Sequence, residues 1–220
     1  RFIEVESNLA KVLQDFGHWA QHGHGFALAA IARALTGGIG EVRIPGTHSL
    51  KHQKPWGSWL ETDPLFSDER LRVVHDACEA GRADKLRALI REPLALQYLR
   101  VCWEKVDGMY NCCHCEKCLR TMVSLHAHGV LDQSTAFRLP LEARRVRHAL
   151  LPREGLRIYL RENIALMREL RPDDKALIAA LETQLHRPIW VAQQLLKWRK
   201  RRWRLQMQWR RLVQRLSSTG

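Results

Sequence analysis

Cys102, Cys112, Cys115 and Cys118 stand in the order C-x9-C-x2-C-x2-C, and this spacing limits what the chain can fold into more tightly than any other feature. The two short steps wrap a loop round one point and present three thiolates to it, while Cys102 brings a fourth from the end of a preceding strand. A divalent zinc held by four thiolates has no open position for chemistry, and its binding energy is folding energy, so the pattern predicts a structural staple. Cys113 and His114 lie inside the same knuckle as alternative ligands. An iron–sulfur cluster also accepts four cysteines, although the run lacks the longer ferredoxin pattern.

Six cysteines, most of them in one knuckle, argue for a metal in a reducing compartment over a disulfide framework, which predicts a cytosolic protein. No apolar run approaches a bilayer span and no signal peptide opens the sequence. The absence of a starting methionine at Arg1 points to a fragment of a longer chain. With 220 residues, 45% of them hydrophobic, there is material for one good core and an appendage. The net charge of +13 is unevenly placed: residues 1–136 carry 16 Lys and Arg against 16 Asp and Glu, and residues 137–220 carry 20 against 7. That shift predicts two parts, an α/β domain over 1–136 and a basic helical extension over 137–220 whose partner is anionic.

Alternation in Phe2–Glu6 predicts a short strand, and apolar spacing predicts helices over Leu9–Phe16 and over the Ala-rich Phe26–Leu35. Glu41–Pro45 reads as the next strand, with Pro45–Ser49 as a loop at its carboxyl end, the edge where open parallel sheets bind ligands. Leu50–Phe66 has no clean periodicity, as in a functional loop. Ser67, with Asp68 and Glu69 after it, predicts a helix through Cys78 that places His75, Asp76 and Glu79 on one face. A second helix is expected over Asp84–Arg91, ended by Pro93, and Tyr98–Cys102 reads as a strand entering the knuckle, with a helix over Leu119–His128 leaving it. The alternation implies a partial parallel α/β sheet of about three strands, completed by a segment upstream of Arg1.

The order of these features resembles the C-terminal zinc motif of 7-cyano-7-deazaguanine synthase, in the PP-loop ATP pyrophosphatase (adenine-nucleotide alpha-hydrolase, HUP) superfamily. It resembles still more a group of uncharacterised PP-loop-like proteins. The matching stretches are Ile44-Pro45, Thr47–Ser49, Pro55–Ser58, Asp63–Leu65, Arg82 with Lys85, and Asn111–Thr121, so the likeness covers about residues 1–130 and omits the tail. The resemblance implies a ligase- or amidase-type enzyme that uses ATP and magnesium to adenylate a carboxylate or carbonyl oxygen and release pyrophosphate. The family's Ser-Gly-Gly-x-Asp-Ser phosphate loop is not in this sequence, and Gly37-Gly38 follows a helix, as a helix stop does.

By the same resemblance Thr47, His48 and Ser49 belong to a substrate or nucleotide loop, and the alternative for them is ordinary turn chemistry. Trp56, with Lys51 and Lys54, is placed to meet a ring and an anion. Arg82 and Lys85 lie one helical turn apart, so both can face a phosphate or simply solvent. In the tail, helices are expected with breaks near Pro152, Pro172 and Pro188. Val191, Leu195, Trp198, Leu205, Trp209, Leu212 and Leu216 then form a stripe interrupted by Arg202, on a basic helix over 187–216. Such a helix meets a membrane surface, an acidic partner or RNA, or else packs its stripe on the parent domain. Trp190, Trp198, Trp203 and Trp209 suit base stacking. Two rivals to the ligase follow: a tRNA-modifying enzyme of the same superfamily, and a non-catalytic zinc-stabilised nucleic-acid-binding module.

Overall fold

The computed structural model describes residues 3–102, 104 and 108–217. Phe2 and the side chains of Trp203, Leu212 and Leu216 lie outside the described residues. The chain divides into two compact units, Arg1–Lys85 and Leu86–Gly220.

The first unit begins with α1 (Leu9–Gln14), a π-helical turn (Trp19–Gly23) and α2 (His24–Ala34), followed by strands β1 (Glu41–Pro45) and β2 (Arg72–Asp76). The strands pair in parallel, Glu41 opposite Arg72 through Pro45 opposite Asp76, in a two-stranded sheet. Ala32 of α2, Ile44 of β1, and Leu71 and Val73 leading into and along β2 form the unit's buried apolar cluster. Residues 3–8 carry no strand, so the strand expected over Phe2–Glu6 is not found there.

The helix expected over Ser67–Cys78 is instead β2. Asp68 Oδ1 does accept two following backbone N–H groups, those of Arg70 and Leu71, each at 2.9 Å, but the side chain closes a turn into a strand. Burial then alternates, with Val73 and His75 inward and Arg72 outward, as a half-buried strand with branched residues requires. Arg33 clasps the turn from α2 through Asp68 and through the Phe66 carbonyl at 2.8 Å.

α3 (Arg82–Leu89) straddles the division between units. Pro93 opens a further helix, α4 (Pro93–Tyr98), as well as following α3, since its missing N–H costs nothing in a first turn. No strand forms over Tyr98–Cys102, and the described residues hold two strands where about three are expected.

The second unit is helical: α5 (Glu116–Ala127), α6 (Ala143–His148), α7 (Arg157–Leu170), α8 (Lys175–His186) and α9 (Ile189–Ser217). The breaks fall near Pro152, Pro172 and Pro188, as the sequence predicts. α5 is buried on two faces. Leu119, Val123 and Ala127 join the apolar cluster of α6, α7 and α8, whereas Cys118, Met122 and Leu125 join the cluster around the cysteines. Asn163 of α7 ties the helices together: it accepts from Ser124 Oγ at 2.7 Å and donates to the Arg120 carbonyl at 2.9 Å. Asp174 caps α8 by accepting the Leu177 N–H at 3.1 Å. The charge boundary near Phe137 is therefore not a packing boundary, because α6–α8 share a core with α5.

Candidate metal centre and sheet-edge cluster

The knuckle is built by one asparagine and one left-handed residue. Asn111, 1% exposed, accepts the N–H groups of Val101 and Cys102 through Oδ1 at 2.9 and 3.2 Å. Its Nδ2 donates to the carbonyls of Leu99 at 2.8 Å and Ala136 at 3.0 Å. This side chain takes the place of a neighbouring strand, holding Leu99–Cys102 extended so that Cys102 meets the loop. Cys113 adopts φ 57°, turning the chain back so that Cys115 follows Cys112 round the same point. Cys115 then precedes the first turn of α5, which carries Cys118.

The sulfurs of Cys102, Cys112, Cys115 and Cys118 all lie within 4.8 Å of one another. Sγ–Sγ separations are 3.4 Å for Cys102–Cys112, 3.7 Å for Cys102–Cys115, 3.5 Å for Cys115–Cys118 and 3.8 Å for Cys112–Cys118. A tetrahedral ion with metal–sulfur bonds of about 2.3 Å spaces its ligands about 3.8 Å apart, so the residues fit a four-thiolate metal ion. None of the six cysteines is in a disulfide.

Backbone N–H groups point at the sulfurs as well, Cys115 N–H to Cys112 Sγ at 3.3 Å and Glu104 N–H to Cys102 Sγ at 3.3 Å. Hydrogen bonding from Cys118 holds the Cys115 thiol down at about 4. Burial pushes Cys112 up to about 11, and the Cys115 thiolate pushes Cys118 upward. The Cys115 thiolate forms readily, whereas burial resists it at Cys112 and the neighbouring Cys115 resists it at Cys118, an imbalance that a divalent cation removes. Cys113 is fully buried and its thiol donates to the Asn111 carbonyl at 3.4 Å. His114 turns Nδ1 to the Cys112 carbonyl at 2.6 Å. Both of these interior residues are thus engaged with backbone, and the four-sulfur group does not include them.

In the first unit Thr47, His48 and Ser49 follow the carboxyl end of β1, and Trp56 and Lys85 come up to that loop. Lys85 Nζ donates to the Gly46 carbonyl at 2.8 Å, fixing the turn that carries the exposed Thr47 and half-buried His48 and Ser49. His48 stands edge-on to Trp56 with ring centroids 5.9 Å apart, and Lys54 Nζ lies 5.2 Å over the same indole. Ser49 Oγ pairs with His52 Nδ1 at 3.1 Å. Burial, then Lys54 and His52, hold the His48 imidazole below the usual histidine range, and its Nε2 is buried without a partner. Arg82, half-buried, opens α3.

The sequence reading missed a buried polar network beneath this loop. Asp63, fully buried, accepts from Ser58 Oγ at 2.6 Å and from the Trp59 N–H at 3.2 Å, and its Oδ2 lies 2.7 Å from His75 Nδ1. His75 is on β2, so the proposed helix face of His75, Asp76 and Glu79 does not exist. The inward alternation of Leu71, Val73 and His75 signals only a strand with His75 turned to the interior. A close approach completes the loop's seat: Gly25 N–H donates to the Gly57 carbonyl at 2.7 Å. A methyl group on Gly25 would stand 2.2 Å from that oxygen.

No protein-family model, curated protein or solved structure matches the chain.

Proposed function

We propose that the four sulfurs hold a structural zinc ion, and that the chain is the C-terminal part of a PP-loop-type, ATP-using enzyme whose nucleotide meets the carboxyl ends of β1 and β2. The sulfur spacing carries the first half: four cysteines fill zinc's coordination shell, so the ion supplies folding energy and leaves no position for a substrate. The second half rests on the resemblance together with one observation, the cationic edge. Lys51, His52 and Lys54 follow the His48 loop, Lys85 reaches its Gly46 carbonyl, and Trp56 offers a ring face. An anion with an aromatic base fits that chemistry. In such an enzyme these groups bind and orient the triphosphate and offset its charge while a carboxylate or carbonyl oxygen displaces pyrophosphate.

Calorimetric titration of the zinc-loaded chain with ATP, AMP and pyrophosphate tests the reading. Saturable binding of ATP that weakens about tenfold in Lys54→Ala, with zinc at one equivalent, is expected. Absence of nucleotide binding by a folded, zinc-loaded chain overturns the ATP half, and absence of bound zinc overturns the staple.

A further inference from the structure

The last helix carries an apolar stripe that the rest of its unit does not cover. α9 spans 29 residues, about 43 Å of helix, and contains nine Lys and Arg with no Asp or Glu. Its start is held by one face: Ala192 is 2% exposed, Leu196 is half-buried, and Gln193 Nε2 donates to the Pro152 carbonyl at 3.1 Å. Leu195, Trp198, Leu205 and Trp209 recur at steps of three, four and seven on a different face, and they are 41%, 57%, 65% and 69% exposed. Among the described residues of its own unit, these four positions of the stripe are left uncovered. Arg202 lies in line with the stripe, its guanidinium 5.5 Å over the Trp198 ring, a posture that keeps the charge at the edge of an apolar surface. Lys197, Arg199, Lys200 and Arg201 are exposed around it.

We propose that α9 lies on an anionic lipid surface, its leucine and tryptophan stripe in the headgroup boundary and its Lys and Arg residues against acidic headgroups. The chemistry selects this occupant. Base stacking on RNA would use the indoles but leave Leu195 and Leu205 in water, while a lipid boundary takes leucine and indole together. A second copy of α9 would bring nine positive charges against nine, which self-repulsion opposes. No described helix is long and apolar enough to cross a membrane, so the helix lies along the surface.

Co-sedimentation of the full chain with vesicles of phosphatidylcholine, alone or with about one-third phosphatidylserine, tests the proposal. Binding is expected to the acidic vesicles, to fall with added salt, and to weaken about tenfold in Leu205→Ser and in Trp209→Ala. Both positions are exposed, so the variants keep the fold, which their far-ultraviolet circular dichroism verifies. Equal binding of wild type and both variants overturns the proposal. So does failure to bind acidic vesicles, whether the chain instead dimerises through this stripe or binds a single-stranded RNA oligonucleotide.

Discussion

The side-chain oxygen of Asn111 accepts the backbone N–H of Cys102 at 3.2 Å, so the residue just before the second cysteine of the knuckle positions the first. Replacing it with alanine leaves buried N–H and C=O groups around Leu99, Val101, Cys102 and Ala136 without partners. Asn111→Ala is expected to lose roughly 2–4 kcal/mol of stability and to weaken metal binding, as read by urea unfolding and competition with a chromophoric chelator.

Cys115→Ser removes one corner of the sulfur tetrahedron, whereas Cys113→Ser alters a thiol that faces the Asn111 carbonyl. Metal analysis is expected to return about one equivalent of zinc for wild type and for Cys113→Ser, and a clear loss for Cys115→Ser. Equal loss in both variants would mean that the ligand set is drawn wrongly.

Asp63 is the hub of the first unit's buried network. Asp63→Ala strips His75 Nδ1, Ser58 Oγ and the Trp59 N–H of their acceptor at once, and a cost of about 3 kcal/mol or more is expected in thermal or denaturant unfolding. Asp63→Asn keeps part of the acceptor geometry and is expected to cost less.

Gly25→Ala places a methyl group 2.2 Å from the Gly57 carbonyl oxygen and 2.8 Å from Ser58 Cα. Backbone must move, so a loss of roughly 2–4 kcal/mol is expected. Gly37→Ala is the control, since a methyl group there meets nothing within 4 Å. Limited proteolysis between Lys51 and Trp59 should accelerate in the first variant only.

Burial, then Arg87, holds the His128 imidazole below the usual histidine range. A depressed folded-state value means that the unfolded chain takes up the proton first. The stabilisation is therefore complete above about pH 6.5 and is lost as pH falls through the folded value. His128→Gln is expected to flatten the dependence of unfolding free energy on pH below that point relative to wild type, while protonation of the cysteines affects both proteins alike. Parallel curves would remove His128 from the account.

What was legible in the sequence was what is local. The cysteine spacing points to the grouping of Cys102, Cys112, Cys115 and Cys118, apolar spacing finds α2, and the prolines mark the breaks among α6–α9. Glu41–Pro45 stood out as a strand. β2 was obscured because Ser67 and Asp68 carry the same hydrogen-bonding chemistry whether they cap a helix or close a turn. Tyr98–Cys102 reads as a strand in the sequence, yet an amide side chain from ten residues away pairs with the Val101 backbone in place of a second strand. Asp63 and His75 are twelve residues apart, and no local pattern announces that they meet. The exposed stripe of α9 was visible as a pattern, but whether it was covered depended on which face Ala192 and Leu196 anchor.

α5 contributes Cys118, Met122 and Leu125 to one apolar cluster and Leu119, Val123 and Ala127 to the other. Packing on both flanks couples the cysteine region to the helices that follow it, so the two are expected to open together as one foldon. A lesion far from the sulfurs, at Ile164 or Leu181 for example, will therefore register as lowered hydrogen-exchange protection around Cys118.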